Sequence, residues 1–316
     1  MILKKFLSDF KGLFKSPQSR FILMVGGKIM IFSIFIHFFV LYSLIQQLRF
    51  NYLFFETQSR VSLIELETFL GYVFSETLDL IPYIFAFHIL LFLAGCYVGW
   101  ILLRPFFNIA KYSEEAITDV NASYQPEVYS NYNLLTRFSE FFFLYLRENR
   151  LKKQLTPQSI PPQFSKIHRP KLDVVYLIHF SFLLLIIGIV TFISAASVID
   201  ILTTNILKLA LDLLPDAKDY KSFFLGQIEI FEDIYIWIVL LTVALYGGLA
   251  FHLYDKMSGA AFGIFSTMRS FMKGNYSSRV HLLGFNHVRD YTRTLNKFLN
   301  HVTREFQNET KDTEES

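Results

Sequence analysis

The sequence predicts an all-α membrane protein: four transmembrane helices in two tandem repeats, each followed by a helix-connector-helix coiled-coil module on the cytoplasmic side. Three observations carry this. Of 316 residues, 53% are hydrophobic and 36 are phenylalanine, more than a single soluble core of this length uses. Four apolar runs, at 29–45, 82–103, 174–198 and 234–254, are each near the 20 or so helical residues that cross about 30 Å of hydrocarbon. After the fourth run, apolar residues recur every 3.5 positions, the period of a helix that packs on partner helices.

Residues 1–28 read as a cytoplasmic amphipathic segment, with Phe6, Phe10, Leu13 and Phe14 set against Lys4, Lys5 and Lys11. The first run is long and lacks a small-residue cleavage site, so it is expected to stay as a span rather than be removed as a signal peptide. Residues 29–103 form the first transmembrane hairpin and 174–254 the second, with short outer loops at 49–81 and 199–233. Of the 30 Lys and Arg residues only Arg49, Arg60, Lys208, Lys218 and Lys221 fall in those loops. Basic residues are retained on the cytoplasmic side of short loops, so both termini and the middle segment are expected there, in a multi-pass protein of the cytoplasmic (inner) membrane. The mildly basic balance follows from that topology and requires no nucleic-acid partner. The lone Cys96 excludes a disulfide framework and a thiolate metal cluster.

Short echoes suggest duplication. "SPQS" at 16–19 returns as "TPQS" at 156–159, "IHF" at 36–38 returns at 178–180, and "FLG" at 69–71 returns at 224–226, in the same order. The proline-rich linker 151–173 divides the copies. Gly95 and Gly99 as GxxxG, and Ala244 and Gly248 as its relative, are candidates for close helix approach, or reflect the ordinary glycine usage of membrane helices. The matched His37 and His179 are a candidate intramembrane pair. They fit a proton-responsive role, a bis-imidazole haem site, or two neutral structural histidines.

The segment 255–306 begins Met257, Ala261, Ile264, Met268 and Phe271, passes through "GNYSSRV" from Gly274 to Val280, and resumes with Val288, Tyr291, Leu295, Phe298 and Val302. In 104–150 the corresponding positions are Pro105, Ile109, Tyr112 and Ala116, then Leu135, Phe138, Phe142 and Tyr145. "GNYSSRV" and "TLNKFLNHV" (294–302) resemble the connector and the closing helix of a HAMP domain, the signal-relay module of bacterial chemoreceptors and sensor kinases. Asn286 and His287 stand where that family usually has an acidic pair. The resemblance implies a parallel four-helix bundle made from two such units, here both in one chain as an intrachain pseudo-dimer, with a homo-oligomer left open.

No phosphate loop, kinase histidine box or cyclase motif follows the second module, and residues 307–316 read as a disordered polar tail. Carboxylates are not clustered in the spans. The expectation is no enzyme, no metal and no cofactor. The partners expected are the lipid bilayer and a separate output protein, such as a kinase, a chemoreceptor, or a motor or envelope component. Three functions stay open: signal relay, a structural or assembly subunit of a larger membrane complex, and a haem-binding electron carrier.

Overall fold

The computed structural model describes residues 16–57, 63–125, 135–167, 174–213 and 221–314. Its elements are α1 (Pro17–Thr57), α2 (Leu63–Thr118), α3 (Arg137–Leu151), the single turn α4 (Pro162–Ser165), α5 (Val174–Leu213), α6 (Lys221–Met272) and α7 (Arg289–Glu314), with a 3-10 turn at Asn286–Val288 before α7. No strand occurs among the described residues. Each half of the chain thus runs long helix, long helix, connector, shorter helix.

Among the described residues, four helices are long and apolar enough to cross a membrane. Large apolar side chains such as Phe38, Phe85, Leu90, Phe182, Ile193 and Val243 are exposed on them. A face of that kind is stable against hydrocarbon, where no water penalises it, and the protein is an all-α membrane protein. Prolines 82 and 105 lie inside α2 without ending it, as happens where neighbouring helices satisfy the freed carbonyls.

The outer segments are largely helical, in keeping with the helix-like spacing of Leu63, Leu66, Leu70 and Val73. Helices continue to Thr57 and from Leu63, and again to Leu213 and from Lys221, so most of 49–81 and 199–233 is helical. The segment expected to be disordered after residue 306 likewise continues as α7 to Glu314. The amphipathic segment at 1–15 lies outside the described residues, as do the side chains of both FLG echoes, apart from Gly71.

The TPQS echo is a sequence likeness without a structural one. Ser16 caps α1, its Oγ accepting the Ser19 N–H at 3.0 Å, and Pro17 takes the first helical position. The second copy is extended. Asn149 Oδ1 accepts from both the backbone N–H and the hydroxyl of Thr156, and Gln158 N–H bonds the last carbonyl of α6, Met272 O, at 2.9 Å. The Thr156 hydroxyl thus bonds Asn149 rather than an N–H of its own segment.

The chain divides into two compact units. A span unit comprises Gly26–Gly95 and Ser181–Leu249, and a module unit comprises Met1–Val25, Cys96–Phe180 and Ala250–Ser316.

Candidate functional site

The module unit gathers the predicted seam. Pro105, Ile109, Tyr112 and Ala116 of α2, Leu135 before α3, Phe138, Phe142 and Tyr145 on it, Ala261, Ile264 and Met268 of α6, and Val288, Leu295 and Phe298 from the start of α7 onward are all buried. The two modules meet within the chain. Phe138 and Phe142 of α3 lie against Phe265 and Phe271 of α6, with ring centroids 4.5 and 6.1 Å apart. Phe107 and Tyr112 of α2 lie against Tyr291 and Phe298 of α7. Residue numbers rise together in both pairs, so the partner helices are parallel.

The buried face is wider than the predicted stripe, because Phe106, Phe143, Leu146, Ala260, Phe265, Met272 and Leu299 join it. A helix with three neighbours needs more than a two-residue seam. Tyr291 is only half-buried, and the position beside it, Thr292, is buried instead. The buried face therefore runs from Val288, in the turn before α7, through Thr292, Leu295, Phe298, Leu299 and Val302. Thr292 escapes a hydrophobicity pattern, yet its hydroxyl donates to Arg289 O at 2.9 Å and so enters the core satisfied.

The second connector is held at defined points. Gly274 adopts φ +98°, a left-handed conformation that favours glycine and turns the chain out of α6. Val280 is buried, and the Asn296 side chain both accepts from its N–H at 2.8 Å and donates to its carbonyl at 3.0 Å. Arg279 reaches Asn300 Oδ1. Further on, the Phe285 ring covers Gly259 and the Leu282 side chain covers Gly263, where a Cβ would come 2.7 and 2.3 Å from them. Sequence reading passed over these two notches, although the spacing GAAFG at 259–263 carried the signal. Comparison of the chain with protein-family models, with curated proteins and with solved structures gives no match.

A charged clasp closes the far end of the bundle. The Arg150 side chain, 4% exposed, donates from Nε to Glu305 Oε2 at 2.9 Å and from Nη1 to Ala116 O. One guanidinium thereby ties the end of α3 to α7 and satisfies a carbonyl in the last turn of α2. The linker is built in as well. Phe164 enters the core beside Phe138, Tyr145 donates to Thr156 O, Tyr276 donates to Leu155 O, and Arg269 donates to Ile167 O. A cavity of about 150 Å³ beside Tyr112, Tyr124 and Phe143 has Glu140 and Arg147 among its lining residues. Ser123 also lines it.

Small residues act unequally. A Cβ on Gly95 would lie 2.7 Å from Gly26 Cα in the span unit, and one on Gly99 would lie 3.0 Å from Ile22 Cα in the module unit, so both mark close approach of α1 and α2. Ala244 and Gly248 do not mark such an approach: both are exposed, and nothing stands within 4 Å of a Cβ at Gly248. The inward face of α6 passes through Thr242, Tyr246 and Leu249, and residues two positions along a helix point elsewhere. There Gly188 of α5 makes the close contact, against Thr242 and Tyr246, and Thr191 Oγ1 and Tyr246 Oη are hydrogen-bonded at 2.9 Å.

In the span unit His37 is buried and fully engaged. Its Nδ1 donates to Ser33 O at 2.9 Å, since a carbonyl can only accept, and Nε2 and Ser194 Oγ are hydrogen-bonded at 3.0 Å. Its ring neighbours are Phe87 and His88, the latter 4.9 Å away edge-on. His179 is exposed and belongs to the module unit. The two IHF copies thus present different faces, with Ile36 buried and Ile178 exposed. No group of three or more metal-ligating side chains occurs among the described residues.

Proposed function

We propose that the chain is a membrane-embedded signal relay, acting through its paired helix-connector-helix modules on a separate output protein. The observation that carries this reading is continuity. Helices α2 and α6 each run unbroken from a membrane-crossing stretch into the parallel bundle. A rigid helix transmits rotation or translation along its axis, and a packed core responds by changing between discrete packings rather than by bending gradually. The HAMP resemblance points the same way. Within the segments that carry the resemblance, Gly274 turns the chain, Val280 is buried and Asn296 bonds the Val280 backbone. The partition of basic residues supports an inner-membrane orientation with both termini and the modules in the cytoplasm.

The experiment inserts one alanine between Leu103 and Arg104, which turns the following helix by about 100° and advances it about 1.5 Å. Spin labels replacing the exposed Glu140 and Lys297, in a Cys96→Ser background, report the α3–α7 distance. A relay gives a second defined distance. An unchanged or featureless distribution supports a static dock instead, the role of an assembly subunit in a larger complex. The haem reading finds little support at His37, whose two ring nitrogens are both occupied by hydrogen bonds.

A further inference from the structure

We infer that the turn 282–285 of the second connector is an anchor to the lipid surface, with Leu283 entering the boundary between headgroups and acyl chains of the bilayer that the helices cross. Leu283 is 93% exposed, far more than any other large apolar side chain described as exposed. A single exposed leucine is unremarkable on a loose loop, but this one is on a fixed turn. Its neighbours Leu282 and Phe285 are seated in the notches at Gly263 and Gly259, and Gly284 holds φ +84°. The side chain has no route back into the core.

The height of the turn identifies what it meets. On α6, Phe285 covers Gly259, three residues past the exposed Lys256 and about 7.5 Å along the axis from Tyr254, where the apolar run ends. On α1, His287 stacks on Phe21 at 4.6 Å, one residue from Arg20. On α2, Phe107 meets Tyr291 three residues past Arg104, whose guanidinium lies over the Trp100 ring. Two helices, α2 and α6, thus place the turn and the start of α7 just past Arg104 and Lys256, the cations that follow the apolar runs at 82–103 and 234–254. Basic and aromatic side chains of that kind mark the membrane interface, which extends about 5–7 Å beyond the hydrocarbon on each side. Arg289 and Arg293 add positive charge at this level, against Asp255 and Asp290. A leucine held rigidly at interfacial depth beside an excess of cations fits a bilayer surface, and water is its least favourable surrounding.

The test places a nitroxide label on Leu283→Cys in the full-length Cys96→Ser protein, reconstituted in phosphatidylcholine vesicles containing a minority of phosphatidylglycerol. Accessibility to oxygen is compared with accessibility to a water-soluble nickel chelate. Labels at Phe251→Cys, exposed on the span side, and at Lys297→Cys, exposed on α7, give the lipid and water limits. The anchor predicts an oxygen-to-nickel ratio several-fold above that at 297 and approaching that at 251. A ratio equal to that at 297 overturns it. Because the Leu283 side chain packs against nothing in the fold, its replacement leaves folding intact.

Discussion

Arg150 offers the sharpest test of how the two modules hold together. Replacing it by Met keeps most of the side-chain volume while removing the bonds to Glu305 and to Ala116 O. A hydrogen bond from a charged donor to a buried carbonyl contributes about 1.5–3 kcal/mol. Glu305 is 31% exposed and can rehydrate, so stranding it adds about 1 kcal/mol rather than the larger cost of a fully buried orphan charge. The expected loss for Arg150→Met is therefore about 2.5–4 kcal/mol. Glu305→Gln alone should cost about 1 kcal/mol or less, and the double-mutant cycle should give a coupling of about 1 kcal/mol. Arg150→Lys should recover little, because one ammonium cannot reproduce the fork that serves two acceptors on different helices. Denaturant unfolding of the micelle-solubilised protein, followed by a probe in the module unit, measures each value. A loss below about 0.5 kcal/mol for Arg150→Met, the range of an ordinary surface substitution, would refute the clasp.

Other expectations follow from particular contacts. His287 is buried beside Lys256, and burial first, then the lysine charge, pushes its imidazole down to about 4. Since the unfolded chain binds the proton more readily, this stabilisation is complete above about pH 6.5 and is lost as pH falls towards 4, a change of about 3 kcal/mol. His287→Phe should keep the stack on Phe21 and flatten the melting temperature across that window. A pH dependence unaltered by the substitution would assign it elsewhere. Gly95→Ala should destabilise the span unit by about 1–3 kcal/mol through overpacking against Gly26, whereas Gly248→Ala should fall within about 0.5 kcal/mol of neutral. Equal effects would contradict the asymmetric use of small residues. Ser139 Oγ lies 3.8 Å from Met268 Sδ, so cysteines at these two positions, in a Cys96→Ser background, should be joined by a short bifunctional thiol crosslinker into a monomeric, faster-migrating species. A product of dimer size alone would mean that modules of different chains pair instead.

Much of the architecture was written locally. Membrane-crossing helices follow from runs of apolar residues longer than a soluble strand or helix needs. The buried faces of α2, α3, α6 and α7 follow from a repeat of three and four residues, which any helix converts into a stripe. Gly274 and Val280 were legible for a similar reason, since the turn out of a helix is decided within a few residues. The chain could not disclose which stripe meets which, because that depends on helix phase and axial stagger set by residues more than a hundred positions apart. Ala244 and Gly248 have the same spacing as Gly95 and Gly99, yet they sit on the outer face because Thr242 and Tyr246 claim the inner one. His37 was matched with His179 by sequence, but its environment is Ser33, His88 and Ser194. Thr292 replaces Tyr291 in the core once its hydroxyl finds Arg289 O. The Arg150 clasp, the notches at Gly259 and Gly263, and the extended course of TPQS all depend on partners that only folding supplies. Composition and period determine that these helices form and which side of each is apolar; tertiary packing decides which surfaces touch, and so where polar side chains can be buried with their hydrogen bonds made.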